Sequence, residues 1–189
     1  MSGSNEKADR PFTNAMSTPI QPIDPEQLRH AMRRFASGVT IVTASASGRN
    51  VGITVSSFTS ISLDPPIVMI AINRSGSHSE IFREAPGFAV HILSAGQEEL
   101  SERFASTWSW QRKVEGLNVR PGLQGTPILE GIATVIEARS DTCVDIGSHL
   151  VLFGEVISIH SIEQSPPPPL LYFNRSYGTL DGGADESVD

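Results

Sequence analysis

Cysteine is almost missing from this chain of 189 residues: Cys143 stands alone. An internal disulfide and a cysteine-based zinc site are therefore excluded. Lysine is nearly as scarce, with Lys7 near the start and Lys113 in the middle. Schiff-base or lysine–phosphate chemistry would have to fall on Lys113. No apolar run reaches the roughly 18 to 20 residues needed to cross a bilayer. The opening MSGSNEKADRPFTNAMSTP lacks the apolar core of a signal peptide. Together with the lone cysteine, this leads us to expect a cytoplasmic, reducing location. The phosphate-binding and hydrolytic motifs GxGxxG, GxxxxGK[ST], HExxH and GxSxG do not occur. The five histidines, at 30, 78, 91, 149 and 160, do not fall at metal-ligand spacing.

Positive charge is also in deficit. Fourteen basic residues face 21 acidic ones, for a net charge of −7. That argues against nucleic acid or an anionic membrane surface as the main partner. The excess is unevenly placed. Residues 181–189 carry −4 and residues 1–24 carry −1, which leaves −2 for the rest. A phosphate-bearing ligand would meet a nearly neutral body.

What is abundant is turn chemistry, with 16 Gly and 13 Pro, which favours short strands over long helices. Residues 1–23 are polar and read as a mobile tail. A domain is expected over residues 24–180, followed by an acidic tail over 181–189. Asp24 and Pro25 suit the start of a helix. Leu28, Ala31, Met32 and Phe35 recur at helical spacing, with Gly38 as the stop. Residues 39–45 (VTIVTAS) and 51–60 (VGITVSSFTS) read as a hairpin around a turn at 47–50. Residues 67–72 (IVMIAI) read as a fully buried strand. A short helix over 79–84, a strand over 88–93 and a helix over 97–105 follow. Residues 107–126 read as irregular. Strands are expected over 131–139, 150–159 and 170–173. About six strands with two or three short helices, not in strict β-α-β order, point to a mainly β antiparallel barrel with a few peripheral helices.

Four segments could carry chemistry. Thr54, Val55, Ser56, Ser57 and Phe58 begin a hydroxyl-rich stretch beside a Pro-Pro break. Its hydroxyls and free N–H groups could bind the carbonyl oxygens of a planar heterocycle, or a phosphate. The same pattern also suits an exposed edge strand. Asn73, Arg74, Ser75, Ser77 and Ser79 follow a buried strand and lead into a helix, which suits a phosphate; they equally suit a solvated turn. Gly147, Ser148 and His149 could contact a substrate, or His149 could be structural. Arg175 and Tyr177 come late, as ligand groups or as surface charge with a packed ring. No acid–base dyad or nucleophile triad accompanies them. Such a set suits a protein in which a bound cofactor carries the chemistry.

The motifs FASGVTIVT (35–43) and GITVSSFTSISLDPP (52–66) sharpen this. They are followed by FAVHIL (88–93), Gln97, Leu100, Phe104 and Ala105, then GSH (147–149), GEV (154–156) and LLY (170–172). In this order and spacing the chain resembles the short-chain flavin reductases, the reductase partners of two-component flavin monooxygenases, over residues 28–180. The resemblance implies a split β-barrel of the Greek-key, FMN-binding-like kind and a homodimer binding FMN or FAD near the subunit interface. NADH or NADPH supplies the hydride, and the reduced flavin passes by diffusion to a monooxygenase. It implies flavin-ring contacts from Thr54 to Phe58, with Ser37 nearby, and phosphate contacts from Asn73 to Ser79. Gly147, Ser148 and the catalytic candidate His149 would lie toward the nicotinamide nucleotide, with Arg175 and Tyr177 close to the cofactors. Two positions depart from the family pattern: Ser148 stands where Asp is usual, and His91 where Asn is usual. Loss of that carboxylate leaves a second reading open, a flavin-binding split barrel without efficient reductase activity.

Overall fold

The computed structural model describes residues 21–76, 78–161 and 167–180. Most of the expected N-terminal tail, the acidic tail and Ser77 lie outside the described residues. No described helix is long and apolar enough to cross a membrane.

The chain opens with helix α1 (Pro25–Met32), whose Asp24 side chain accepts the Glu26 N–H at 2.9 Å. This is the capping that the Asp-Pro pair implies. The helix ends well before Gly38, because Ser37 and Gly38 form strand β1 and pair with a late strand. None of its residues is buried, so its apolar spacing has no partner among the described residues. Next come β2 (Thr40–Ala46) and β3 (Arg49–Val55). They are joined by Ser47 and Gly48, both with positive φ (52° and 73°). Two such residues make a tight turn whose twist matches the strands. The expected four-residue turn is therefore shorter, and Arg49 and Asn50 belong to the strand.

The expected single strand over 51–60 is broken. β3 stops at Val55, and β4 (Thr59–Leu63) begins after three linking residues. β4 turns through Asp64 and Pro65 into β5 (Pro66–Asn73). α2 (His78–Glu84), β6 (Gly87–Ile92) and α3 (Glu98–Ala105) follow. The stretch expected to be irregular, 107–126, holds α4 (Trp110–Lys113) and β7 (Val119–Pro121), and β8 (Pro127–Leu129) follows directly after it. The long pair β9 (Thr134–Ile146) and β10 (His149–Ser161), then β11 (Leu171–Phe173) and β12 (Ser176–Gly178), complete the fold. Twelve strands among the described residues replace the expected six or so. The additional ones are short, or polar and exposed like the second half of β9, and so carry no apolar alternation.

Seven strands form one antiparallel sheet in the order β3-β2-β6-β9-β10-β5-β4. Its two edge strands, β3 and β4, are consecutive in the chain and joined only by Ser56, Ser57 and Phe58. Laid flat, seven strands would put their edges roughly 28 Å apart at about 4.8 Å spacing. A link of three residues spans about 10 to 14 Å at most. The sheet must therefore roll until its edges meet. No ladder joins β3 to β4 among the described residues, so the rolled sheet stays open along one seam. The protein is mainly β, with helices at the periphery.

Inside the roll, Val42, Ala44, Val68, Ile70, Ile72, Phe88, Val90, Leu150 and Leu152 pack with Phe82 of α2. β5 contributes every second residue, while Ile67, Met69 and Ala71 stay half-exposed. The continuous burial expected for 67–72 is thus an alternation, because α2 and α3 do not cover the outer face of β5. β2 is buried on both sides. Val42 and Ala44 face the roll, while Val39 before it and Ile41 within it join Leu93, Phe104, Leu129 and Leu170.

His91 stands on β6 in the middle of this packing and is fully buried. Its Nδ1 lies 3.1 Å from the Ile41 carbonyl, and its Nε2 accepts the Leu129 N–H at 3.0 Å. The neutral ring with hydrogen on Nδ1 satisfies both. Burial holds its pKa down to about 4, against an ordinary 6.5. The unfolded chain thus binds more protons between those values. The contribution of His91 is complete above pH 6.5 and is lost as pH falls toward 4. At 1.36 kcal/mol per pH unit, the gap corresponds to about 3 kcal/mol. Urea titrations of the wild type should show this decline on acidification. His91→Gln, whose amide can still donate to Ile41 and accept from Leu129, should show a shallower one; an equally steep decline would assign the acid sensitivity elsewhere.

Candidate functional site

The seam of the rolled sheet is where the hydroxyl-rich segment lies, and most of its hydroxyls hold structure. Ser57 Oγ donates to the Ala71 carbonyl at 2.8 Å and accepts the Ala71 N–H at 3.0 Å. One side chain thus stands in for a missing strand partner on β5. Thr54 Oγ1 donates to the Ser101 carbonyl at 2.7 Å, which ties β3 to α3. Tyr177 on β12 donates to Ser101 Oγ at 2.9 Å, which ties the same helix to the last hairpin. Ser56 differs. It is exposed, and its hydroxyl has no hydrogen bond among the described residues. The backbone N–H groups of Ser56, Ser57 and Phe58 likewise donate to nothing described.

Two cavities share this segment as a wall. One, of about 620 Å³, is lined by Thr54, Val55, Ser56 and Ser57 with Asn73, Ser75, Gly76, His78 and His149, and is floored by Phe104 and Ala105. The other, of about 880 Å³, is lined by Ser56, Ser57, Phe58, Ser37, Tyr172 and Arg175 together with Arg29, Met32, Arg33 and Phe35. A smaller space of about 210 Å³ behind them holds Tyr177 with Thr54, Val55 and Ser56. Segments far apart in sequence therefore meet at residues 56–58.

The remaining expected residues sit elsewhere. Arg74, Ser79 and Ser148 line a third cavity, of about 530 Å³, with Asn73, Ser75 and Arg83. Arg74 is tied down, with Nη2 donating to the Gly147 carbonyl at 2.8 Å and Nη1 lying 3.3 Å from Asp145. Arg83 reaches the same carboxylate at 2.5 Å. The Arg83 hydrogen bond first, and then the nearby charges, hold the Asp145 carboxyl below its ordinary range. Ser79 Oγ donates to Gly76 and Arg74 carbonyls at 2.9 and 3.2 Å, which shapes the loop. Gly147 lines none of these cavities; with φ of 55° it makes the tight turn between β9 and β10. Ser148 Oγ lies 3.0 Å from His149 Nδ1 and so fixes the ring that projects at the 620 Å³ cavity.

Sequence reasoning missed three contributors. His78 lines the 620 Å³ cavity; burial first, and the Lys113 charge second, lower its pKa. Its signal was its place inside the loop already singled out. Phe104 reaches the cavity because its ring presses on Gly52, where a Cβ would stand 2.6 and 2.8 Å from two ring carbons. The exposed α1 side chains at the larger cavity carried no sequence signal beyond helical spacing.

The model of the flavin reductase like domain matches residues 32–181. The chain belongs to this family. It is 39% identical to the FMN reductase (NADH) SmoA of Agrobacterium fabrum over 68% of this chain and 72% of that protein. It is 34% identical to the 4-hydroxyphenylacetate 3-monooxygenase, reductase component, of Thermus thermophilus, over 82% of this chain and 96% of that one. A longer relative, the "Probable flavin reductase" of Rhizobium meliloti, is 35% identical over 73% of this chain, which spans 44% of its length. Among solved structures, flavin reductase HpaC complexed with NADP+ superposes with a TM-score of 0.75 at 35% identity, over 82% of this chain and 97% of HpaC. This flavin reductase-like domain therefore carries the family's fold.

The two serines at the seam separate structure from binding. Ser57→Ala strands the N–H and carbonyl of Ala71 and should cost about 1 to 3 kcal/mol in urea unfolding. Ser56→Ala should leave stability within about 0.5 kcal/mol. Equal losses in the two variants would remove the distinction.

Proposed function

We propose that this flavin reductase-like domain is an NADH-dependent flavin reductase. It takes FMN or FAD into the seam cavities and hands the reduced flavin to a separate monooxygenase. The observation that carries this reading is the meeting of residues 54–57, 73, 75 and 149 around one cavity that shares a wall with a second. Relatives named as an FMN reductase (NADH) and as the reductase component of a monooxygenase support it.

The residues present fit a flavin. No carboxylate lines the 620 Å³ cavity among the described residues, and three unused N–H groups at 56–58 suit the carbonyl oxygens of a flavin ring. Bound there, a flavin supplies the electron-accepting ring for the hydride of NADH. The chain's own work is then positional. Ser56, Ser57 and Phe58 hold the edge of the ring and offer N–H dipoles where negative charge gathers on reduction. Asn73, Ser75 and the loop up to His78 face the phosphate side. The Asn73 side chain accepts the Ser75 N–H at 2.8 Å, which preforms that loop. Ser37 and Arg175 in the adjoining cavity take the rest of the nicotinamide nucleotide. His149, turned by Ser148, lies at the rim where a nicotinamide stacked on the ring would end. No residue has to remove a proton in such a transfer, so orientation alone is asked of the protein.

The working unit is a homodimer of a single domain over residues 24–180, in a cytoplasmic, reducing setting. Arg74, held by Asp145, contributes loop geometry before it contributes charge.

The test is NADH consumption that depends on added FMN or FAD. NADH oxidation that neither flavin accelerates would overturn the reading. His149→Ala should raise KM for NADH about tenfold and KM for flavin less than about threefold, corresponding to roughly 1.4 and 0.6 kcal/mol. An equal rise in both would move His149 to the flavin side.

A further inference from the structure

Among the described residues, Lys113 is the one buried cation that the proposed function leaves unused. It ends the short helix α4 and is 2% exposed. Its Nζ donates to the Phe104 carbonyl at 2.9 Å and the Gly52 carbonyl at 3.1 Å. Both partners are carbonyl acceptors, and the Phe104 ring lies 6.0 Å from Nζ, within reach of a cation–π contact, while burial lowers the Lys113 pKa from its ordinary value. No carboxylate lies within ion-pair distance of it among the described residues. Burying a cation without a counter-ion is unfavourable, and a methionine would fill the same space without that penalty.

The position of this charge gives it a use. Phe104 and Ala105 floor the 620 Å³ cavity, and Ile53, next to Gly52, forms part of its wall. The ammonium is thus bonded to the backbone that forms the cavity lining. His78 on that lining has its pKa lowered by burial first and by the Lys113 charge second. The other charged or titratable group there is His149; no acid is present among the described lining residues.

We propose that Lys113 is a fixed counter-charge for the electron-rich reduced ring, favouring reduced over oxidised flavin in this cavity. The inference rests on the reading that the flavin ring lies there. In the transfer, NADH gives up a hydride and becomes NAD+. The neutral oxidised ring gains two electrons and one proton and so one negative charge. A positive charge behind the wall binds the second state better than the first, and the backbone N–H groups at 56–58 act in the same direction. Lys113 touches no reacting atom and is a positioning residue of electrostatic kind.

The test uses the full chain as Lys113→Met and Lys113→Arg. Dissociation constants are measured for oxidised FMN in air and for reduced FMN under anaerobic conditions. Lys113→Met should bind oxidised FMN within about threefold of wild type and reduced FMN about tenfold more weakly, which lowers the bound two-electron potential by about 30 mV. Lys113→Arg should restore most of that preference. Proportional weakening of both redox states, or no change in their ratio, overturns the counter-charge. Imidazole NMR of His78 separates this failure from failure of the underlying reading. Adding FMN should shift the His78 signals in the wild type, and unmoved signals would mean that the ring binds elsewhere. If Lys113→Met does not fold, the wild type decides alone. Its bound FMN must have a higher midpoint potential than free FMN, and an equal or lower value overturns the proposal.

Discussion

Everything in this fold follows from a link of three residues. β3 and β4 are the outermost strands of a seven-stranded sheet, yet only Ser56, Ser57 and Phe58 separate them in the chain. Backbone reach alone obliges the sheet to roll. The absence of β3–β4 pairing among the described residues leaves a seam, and the linking residues cross it. They are partly exposed and left with N–H groups that no strand uses. The site is therefore a by-product of how the sheet rolls and stays open at its seam. A ladder between β3 and β4 would have consumed the groups that a ligand could use.

Much of this was legible in the sequence. Asp24-Pro25, Ser47-Gly48 and the apolar runs of β5 and β10 have local causes, so their elements fall close to where patterning puts them. The hydroxyl-rich segment also stood out, but its composition could not apportion its roles. Thr54 and Ser57 face backbone carbonyls on other elements, whereas Ser56 faces a cavity, and that distinction depends on contacts 14 and 47 residues away. The same holds for Arg74. A guanidinium beside serines reads as a phosphate ligand until Asp145, brought back by the β9–β10 turn, claims it. Short strands such as β1 and β12 were illegible because two or three residues carry no period. His91 and Lys113 were visible as unusual residues, but their burial was not.

Charge distribution follows a similar logic. The net −7 of the chain suggests a surface hostile to phosphates, but −4 of it belongs to the last nine residues. At the seam the balance is reversed. No acid lines either cavity among the described residues, while Arg29, Arg33 and Arg175 line one, and Lys113 lies behind the floor of the other. Acidic side chains are spent elsewhere, as Asp145 is on two arginines and Glu137 on the 122–126 loop and His160. Total charge therefore says little about what such a domain can bind.

The single hydroxyl of Ser57 that spans the seam has a mechanical meaning as well. Elsewhere around the barrel, neighbouring strands are fastened by rows of backbone bonds that must break together. Here a side chain with one rotatable bond fastens one residue, Ala71, and water can replace it without disturbing any ladder. Among the described residues, the link between β3 and β4 is thus fastened to β5 at Ala71 by a side chain and not by a strand ladder.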